Sequence, residues 1–332
     1  MNVQRVLGRI ATLLALLACV PAQGQLFRAY LESTGSDANP CTVQQPCRLL
    51  PAALAAVADG GEIWMLDSAN YNTAQVDVTK SVTILAVPGA LGGLVATAGG
   101  AGIFINAAGV KVGLRNLVIV HLTSSTYGVN FTQGAELHVS GCEISGMQGS
   151  GIFAGPAGSK ITVKDSVLRN NTLYGMQLAG DSTAAIDRVQ LRGNGSGILA
   201  TTARVTIANS VITGNFNGVH AFANASQPRI AIEGSVLSGN AYGVYATSSQ
   251  AGDLAEVQVS RSVLVNNATA AIYAGQGALG TVTIVAGGNT MTENTIGFTG
   301  TAASTIYTRG NNTLAFNGSD VVTVSLTPLA AQ

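Results

Sequence analysis

Two arginines, Arg204 and Arg229, stand 25 residues apart, and Lys164, Asp187 and Glu233 follow one another at intervals of 23 and 46. Cations presented side by side can hold an anionic sugar through charge-assisted hydrogen bonds. With Lys164, Arg204 or Arg229 as base or clamp, and Glu136, Asp187 or Glu233 as acid, the same groups would serve proton abstraction from such a sugar. A second set is aromatic in character. Phe153, Gln177, Leu199, His220, Tyr245 and Tyr273 recur every 21 to 28 residues. Within it Phe153, Tyr245 and Tyr273 offer ring faces for stacking on pyranoses or for protein contacts.

Both sets also have plain readings. Glu136 set between Lys111 and Lys160 is what ion pairing between neighbouring turns of a repeat would produce. Arg204 beside Arg229 breaks that alternation, because like charges one turn apart repel. The aromatic column reads equally as rings packing on one another along a ladder. No complete catalytic constellation is present. His121, His138 and His220 fall on different parts of the repeat and cannot share a metal, and the Ser-rich stretches lack a matching His/Asp pair. No metal site and no cofactor are expected.

The repeat positions all these residues. Segments such as Ile161-Thr162-Val163-Lys164-Asp165-Ser166-Val167-Leu168-Arg169-Asn170-Asn171 lead to Gly175-Met176, and equivalents run from Val205 to Gly218 and from Ile230 to Gly243. First strands are read at Val112, Leu137, Ile161, Ala184, Val205, Ile230, Val257, Val282 and Ile306, a spacing of 21 to 27 residues. Three short alternating strands per unit at this period predict a solenoid. Alternation turns Ile161 and Val163 inward and Lys160, Thr162 and Lys164 outward. Asn171, Asn194, Asn215, Asn240, Asn267 and Asn294 fall at the turn between second and third strands, where stacked amides can bond along the axis. Gly128, Gly151, Gly175, Gly197, Gly218 and Gly243 follow that turn and are read as a bend needing positive φ. The connections Ala221 to Arg229 and Ala246 to Glu256 are long, so one flank carries larger loops. In solenoids such loops commonly form the binding edge.

The fold class expected is all-β: a single right-handed parallel β-helix of about ten coils, with a short N-terminal capping helix over Arg48 to Ala58. Residues 25–332 form this domain, with 25–75 as N-terminal cap and first rung. Residues 1–24 read as a signal peptide: Arg5 and Arg9 precede the apolar run Ile10 to Val20, and Ala22-Gln23-Gly24 offers a cleavage site. Export to the periplasm or the extracellular space follows; a lipoprotein anchor at Cys19 is the weaker alternative because Leu17 fits a lipobox poorly. Removing Arg5 and Arg9 leaves 14 basic against 16 acidic side chains, a balance that recruits neither nucleic acid nor an anionic membrane. No other apolar run is long enough for a transmembrane span. Only 10% of residues are charged, which suits positions facing a dry core or a neighbouring rung. Cys41 and Cys47 lie six apart; in an oxidising compartment a disulfide is the natural reading, with metal binding as the rival. Cys142 is left as a buried thiol.

The repeat, the Asn turn and the variable loop flank resemble the pectin lyase-like superfamily of right-handed β-helices. Gly35-Ser36-Asp37-Ala38-Asn39-Pro40-Cys41, Pro46-Cys47-Arg48, the Ala-rich helix and Gly60-Gly61-Glu62-Ile63 are similar to the N-terminal cap of many such secreted proteins. The resemblance implies the fold and leaves activity open, since members include pectate and pectin lyases, polygalacturonases and uronan epimerases beside adhesins and virulence factors. The aspartates do not form a polygalacturonase-like cluster. Glu136, Asp187, Glu233 and Glu256 are spread over too many coils for a lyase-like Ca²⁺ site, and no Asp-Pro-His occurs. Two expectations follow. The first is a non-catalytic envelope, adhesion or saccharide-binding module whose partner is a polysaccharide or cell-envelope glycan. The alternative is a polysaccharide lyase-like enzyme acting on uronate-containing polymers. Oligomeric state is not legible.

Overall fold

The computed structural model describes residues 25–276, 280–301 and 304–329. Residues 1–24, where a signal peptide and Cys19 are expected, lie outside the described residues. Three parallel sheets wind about a common axis. The first has 13 strands, starting with Leu26–Leu31 and ending with Leu326–Pro328, and the other two have 11 strands each. Each internal strand pairs with its equivalents one lap before and one lap after, so each position becomes a column running along the molecule.

Alternation sets the core. In Lys160–Lys164 burial alternates strictly, with Ile161 and Val163 inside. Leu137, Ile161, Ala184, Val205, Ile230 and Val257 form one register column, all buried. Each lap thereby roofs the apolar surface of the last, the nearest-neighbour burial on which solenoid stability depends. The outward columns expected from the sequence hold residue for residue up to Glu256. Above it the register moves by two: Val257 pairs with Ile284, not with Val282, because the strand Leu254–Ser260 extends to seven residues. Both Val282 and Ile284 face inward, so the apolar alternation alone could not separate them.

The asparagine ladder forms as the spacing predicts. Asn194 Nδ2 donates to Asn215 Oδ1 at 3.0 Å and Asn215 Nδ2 to Asn240 Oδ1 at 3.0 Å, while each Oδ1 also accepts the backbone N–H of the asparagine below. A serine ladder, which the sequence reading missed, lines the first turn: Ser210, Ser235 and Ser262 each accept the backbone N–H from the lap below.

The glycines after the asparagine turn need correction. None of Gly128, Gly151, Gly175, Gly197, Gly218 and Gly243 has positive φ. A Cβ on any of them would lie 2.4 to 2.8 Å from the carbonyl oxygen of the next lap, so close approach of backbones, not torsion, excludes a side chain. Positive φ belongs to the residue before the ladder asparagine, as at Asn170, Gly193, Gly214 and Gly239.

The single helix among the described residues, Leu50–Ala56, is shorter than the Ala-rich run suggests. Val57 to Met65 is strand, and Leu26–Leu31 already pairs with it, so the first sheet starts before the helix. Leu50, Ala53 and Leu54 pack the helix against these first strands. Cys41 and Cys47 form a disulfide beside it, with Cα atoms 4.6 Å apart.

Candidate functional site

Arg204 and Arg229 are the first residues of five-residue strands on adjacent laps, in register, with Thr183 before them and Glu256 after. Being at outward positions they stand on the exposed face of the first sheet. Their surroundings come from the lengthened connections. The third strands Asn217–Ala223 and Tyr242–Ser248 run two residues longer than Ser196–Ala200, and residues 224–228 and 249–253 then turn back along the sheet edge.

Asp253 pins those connections. It is 2% exposed; its Oδ1 accepts from Ser226 N at 3.1 Å, and its Oδ2 from Ser249 N at 3.0 Å and Gln250 N at 2.7 Å. Burial opposes ionisation of this carboxyl, but the three amide donors outweigh it and hold it below the ordinary carboxylate range. Asn224 ties the two loops together by accepting from Gln250 Nε2 and Ser249 Oγ.

Three clefts adjoin one another across this face. One of about 420 Å³ lies among Asp181, Thr202, Arg204, Ser226, Gln227 and Arg229. A second, about 360 Å³, shares Arg204 and Arg229 as a wall and continues over Thr206, Ala231, Glu256, Gln258 and Val285. The third, about 380 Å³, shares Gln258 and Val285 and adds Glu233, Arg261, Arg309 and Asn311. The result is a run of concavities crossing several laps with arginines at both ends. A larger cleft of about 600 Å³ at the N-terminal end, beside the disulfide, has no cation in its wall.

Charge along the run is uneven. Arg229 Nε meets Glu256 Oε2 at 2.5 Å. Arg204 and Arg309 have no ion pair or side-chain hydrogen bond among the described residues. Glu233 is held by Arg261. Lys164 and Asp187 are register partners at the opposite end of their strands from Arg204. Asp187 is engaged by Arg188 and by Asn209 Nδ2 at 3.0 Å, and neither Lys164 nor Asp187 reaches the clefts. The fold therefore brings Arg204 and Arg229 together, leaves Glu233 in the adjoining cleft and separates Lys164 and Asp187 from both. Glu136 pairs with Lys111 at 2.9 Å but not with Lys160. Sequence reasoning missed Asp253, Gln258, Arg261 and Arg309. Arg261 could have been found, since it directly follows Ser260 of the Glu233 column.

On the third sheet the aromatic column is in the expected register, Phe153, Gln177, Leu199, His220, Tyr245, Tyr273. Tyr245 and Tyr273 stack with centroids 5.0 Å apart, and His220 lies 4.8 Å from Tyr245. Phe153 does not join them; it packs on Tyr127 at 5.5 Å. No three His, Cys, Asp or Glu side chains are grouped to hold a metal among the described residues, and no helix there is long and apolar enough to cross a membrane.

Comparison with solved structures recovers the same winding. The pectate lyase Pel9A superposes with a TM-score of 0.58 at 14% identity, covering 91% of this chain and 79% of that one. XylC, solved with xylose, gives 0.58 at 7% identity over 87% of this chain and 86% of that one. The A-module of the Azotobacter vinelandii mannuronan C-5 epimerase AlgE4 gives 0.52 at 12% identity over 82% and 91%. At such identities the likeness is one of fold alone. No curated protein matches the sequence. The profile of the right handed beta helix region matches residues 95–231 and 127–296, which together span more than half of the chain. With its three parallel sheets and stacked-asparagine turn, the chain belongs to the right-handed β-helix family.

Proposed function

We propose that this chain is an exported saccharide-binding module that holds a carboxylated polysaccharide along the clefts of its first sheet, without cleaving it. The observation that carries the reading is the in-register pair Arg204 and Arg229 forming a wall common to two clefts, with Arg204 lacking any carboxylate partner among the described residues. Guanidinium groups bind carboxylates through paired N–H donors, and a run of adjoining concavities suits a chain better than a single sugar. The pectate lyase and the epimerase of the same fold are named for acting on polymers of this class, which supports the substrate class for this chain. Glu256, already paired with Arg229, and Glu233, paired with Arg261, are poorly placed to act as free acids.

The test is a panel of polygalacturonate, alginate and neutral glucan, with and without Ca²⁺, run for binding and for unsaturated products absorbing in the ultraviolet. Salt-sensitive binding of the uronates, lost in an Arg204→Ala, Arg229→Ala double variant and without ultraviolet absorbance, is the expected result. Accumulating absorbance would replace it with a lyase-like enzyme. Unchanged binding in the double variant would remove the anion site. Amino-terminal sequencing of the protein recovered from the producing cell's exterior tests export, with cleavage expected near residue 24.

A further inference from the structure

The third sheet carries a different surface. Of the eight tyrosines and eight phenylalanines in the sequence, Phe216, Phe222, Tyr242, Tyr245 and Tyr273 fall on three successive laps of one outer face. Two features of the strand produce this. In Tyr242–Gly243–Val244–Tyr245 the two middle residues are both buried, so both tyrosines point outward on one lap. Register then places Tyr273 above Tyr245 and His220 below it. Tyr242 closes the group, 4.8 Å from Tyr245, 5.4 Å from Tyr273 and 6.1 Å from Phe216, which is itself 63% exposed.

Charge distinguishes this face from the first. The columns Ser196, Asn217, Tyr242, Ala270 and Leu199, His220, Tyr245, Tyr273 contain no Lys, Arg, Asp or Glu. His220 donates to or accepts from Thr247 Oγ1 at 3.1 Å, and burial pushes its pKa down to about 4, so it too is neutral near pH 7. Three tyrosine hydroxyls rim the patch without a hydrogen bond to another described residue, and Asn217 Oδ1, beside Tyr242 in register, is a buried acceptor without a donor. A sugar presents apolar C–H faces to rings and hydroxyls to their rims.

We infer that the Tyr242–Tyr245–Tyr273 surface is a second, independent binding site, for an uncharged glycan packed against the aromatic cluster. Tyr245 and Tyr273 stack on each other at 5.0 Å with their planes 23° apart, and Tyr242 lies against both, so the three rings form one compact cluster across two laps. The site is on another sheet from Arg204 and Arg229 and does not depend on the anionic groove.

The experiment is isothermal titration of the full chain with cellohexaose, xylohexaose, mannohexaose and chitohexaose. At least one is expected to bind, with an affinity that about 0.5 M NaCl does not weaken. A Tyr245→Ala, Tyr273→Ala double variant should lose at least tenfold, whereas Tyr245→Phe, Tyr273→Phe keeps the rings and guards against misfolding as the cause. Arg204→Ala, Arg229→Ala should leave this binding unchanged. Failure of all four sugars to bind overturns the proposal, as does equal binding by the alanine double variant. Concentration-dependent self-association of the wild type that the alanine variant abolishes, without sugar binding, would assign the patch to a second copy of the chain instead. Because the anionic groove is read with uronates and salt, its failure and this one are separable.

Discussion

Arg204 and Arg229 are register partners, yet only Arg229 has a carboxylate opposite it, Glu256 at 2.5 Å. The pair is half-exposed, and such pairs contribute under about 1 kcal/mol to folding. Its greater effect is on the groove, where Glu256 competes with an incoming anion for Arg229. Glu256→Gln removes the competitor and keeps the shape. Affinity for polygalacturonate should rise about threefold to fivefold, with thermal stability nearly unchanged; titration at two salt concentrations checks it. A fall in affinity would mean that Glu256 itself contacts the ligand.

Asn215 sits in the middle of the asparagine ladder. Its Oδ1 accepts from Asn194 N and Nδ2, and its Nδ2 donates to Asn240 Oδ1 and to Leu191 O. Asn215→Ala strands two buried donors of the lap below, at about 1–3 kcal/mol for each unsatisfied group. Urea unfolding should show a loss of roughly 3 kcal/mol. Asn215→Asp should be at least as damaging, because it buries a charge and has no amide to donate.

Two glycines four residues apart separate torsion from contact. Gly214 has φ +64°, and a methyl group added there would have its nearest neighbour, Gly193 N, 3.9 Å away. Gly214→Ala should therefore cost about 1 kcal/mol of left-handed strain and little else. At Gly218 the same methyl would lie 2.4 Å from Gly243 O, in a lap that cannot move without its neighbours. Gly218→Ala should lose several times as much stability, measured in the same urea series.

That contrast marks how far the sequence could be read. Spacing and alternation located the laps, the asparagine ladder and every outward column from Lys111 to Glu256, because a parallel solenoid converts sequence period directly into spatial register. They could not tell why Gly218 is glycine, since positive φ and close backbone approach select the same residue. Nor could they distinguish Val282 from Ile284 as the partner of Val257, both being inward and apolar. The site was legible as columns but not as clefts. Lys164 and Arg204 are both outward cations of first strands two laps apart, yet they lie at opposite ends of those strands. Asp253 carried no signal at all, because its role depends on how two irregular loops fold back on one carboxylate.

His220 makes stability depend on pH in a defined window. Burial lowers its pKa from the ordinary 6.5 to about 4 in the folded chain. Between those values the unfolded chain takes up a proton that the folded chain does not, so stability is flat above about pH 6.5 and declines as pH falls toward about 4. The decline should be on the order of 2 kcal/mol, discounted for partial exposure of the ring. Denaturation midpoints at about pH 7, 5.5 and 4.5 span the window and read it out. His220→Gln should flatten the slope across that window, and an unaltered slope would assign it to other groups.

Asp253 titrates lower and acts locally. Its carboxylate is favoured by the amides of Gln250, Ser249 and Ser226 against the opposing effect of burial, so its folded pKa lies below its unfolded one. Its contribution is then complete above the ordinary carboxylate range and is lost as pH falls through the depressed folded value, below the window of His220. Asp253→Ala removes the three amide contacts, and that of Ser249 Oγ, at any pH. The amides of Ser226, Ser249 and Gln250 should then exchange with solvent faster, while that of Asn215, deep in the ladder, keeps its protection. Because residues 226 and 227 wall one cleft beside Arg204 and Arg229, affinity for polygalacturonate should drop several-fold without loss of the fold. Equal deprotection at Asn215 would show that Asp253 supports the solenoid as a whole and not the wall of the groove.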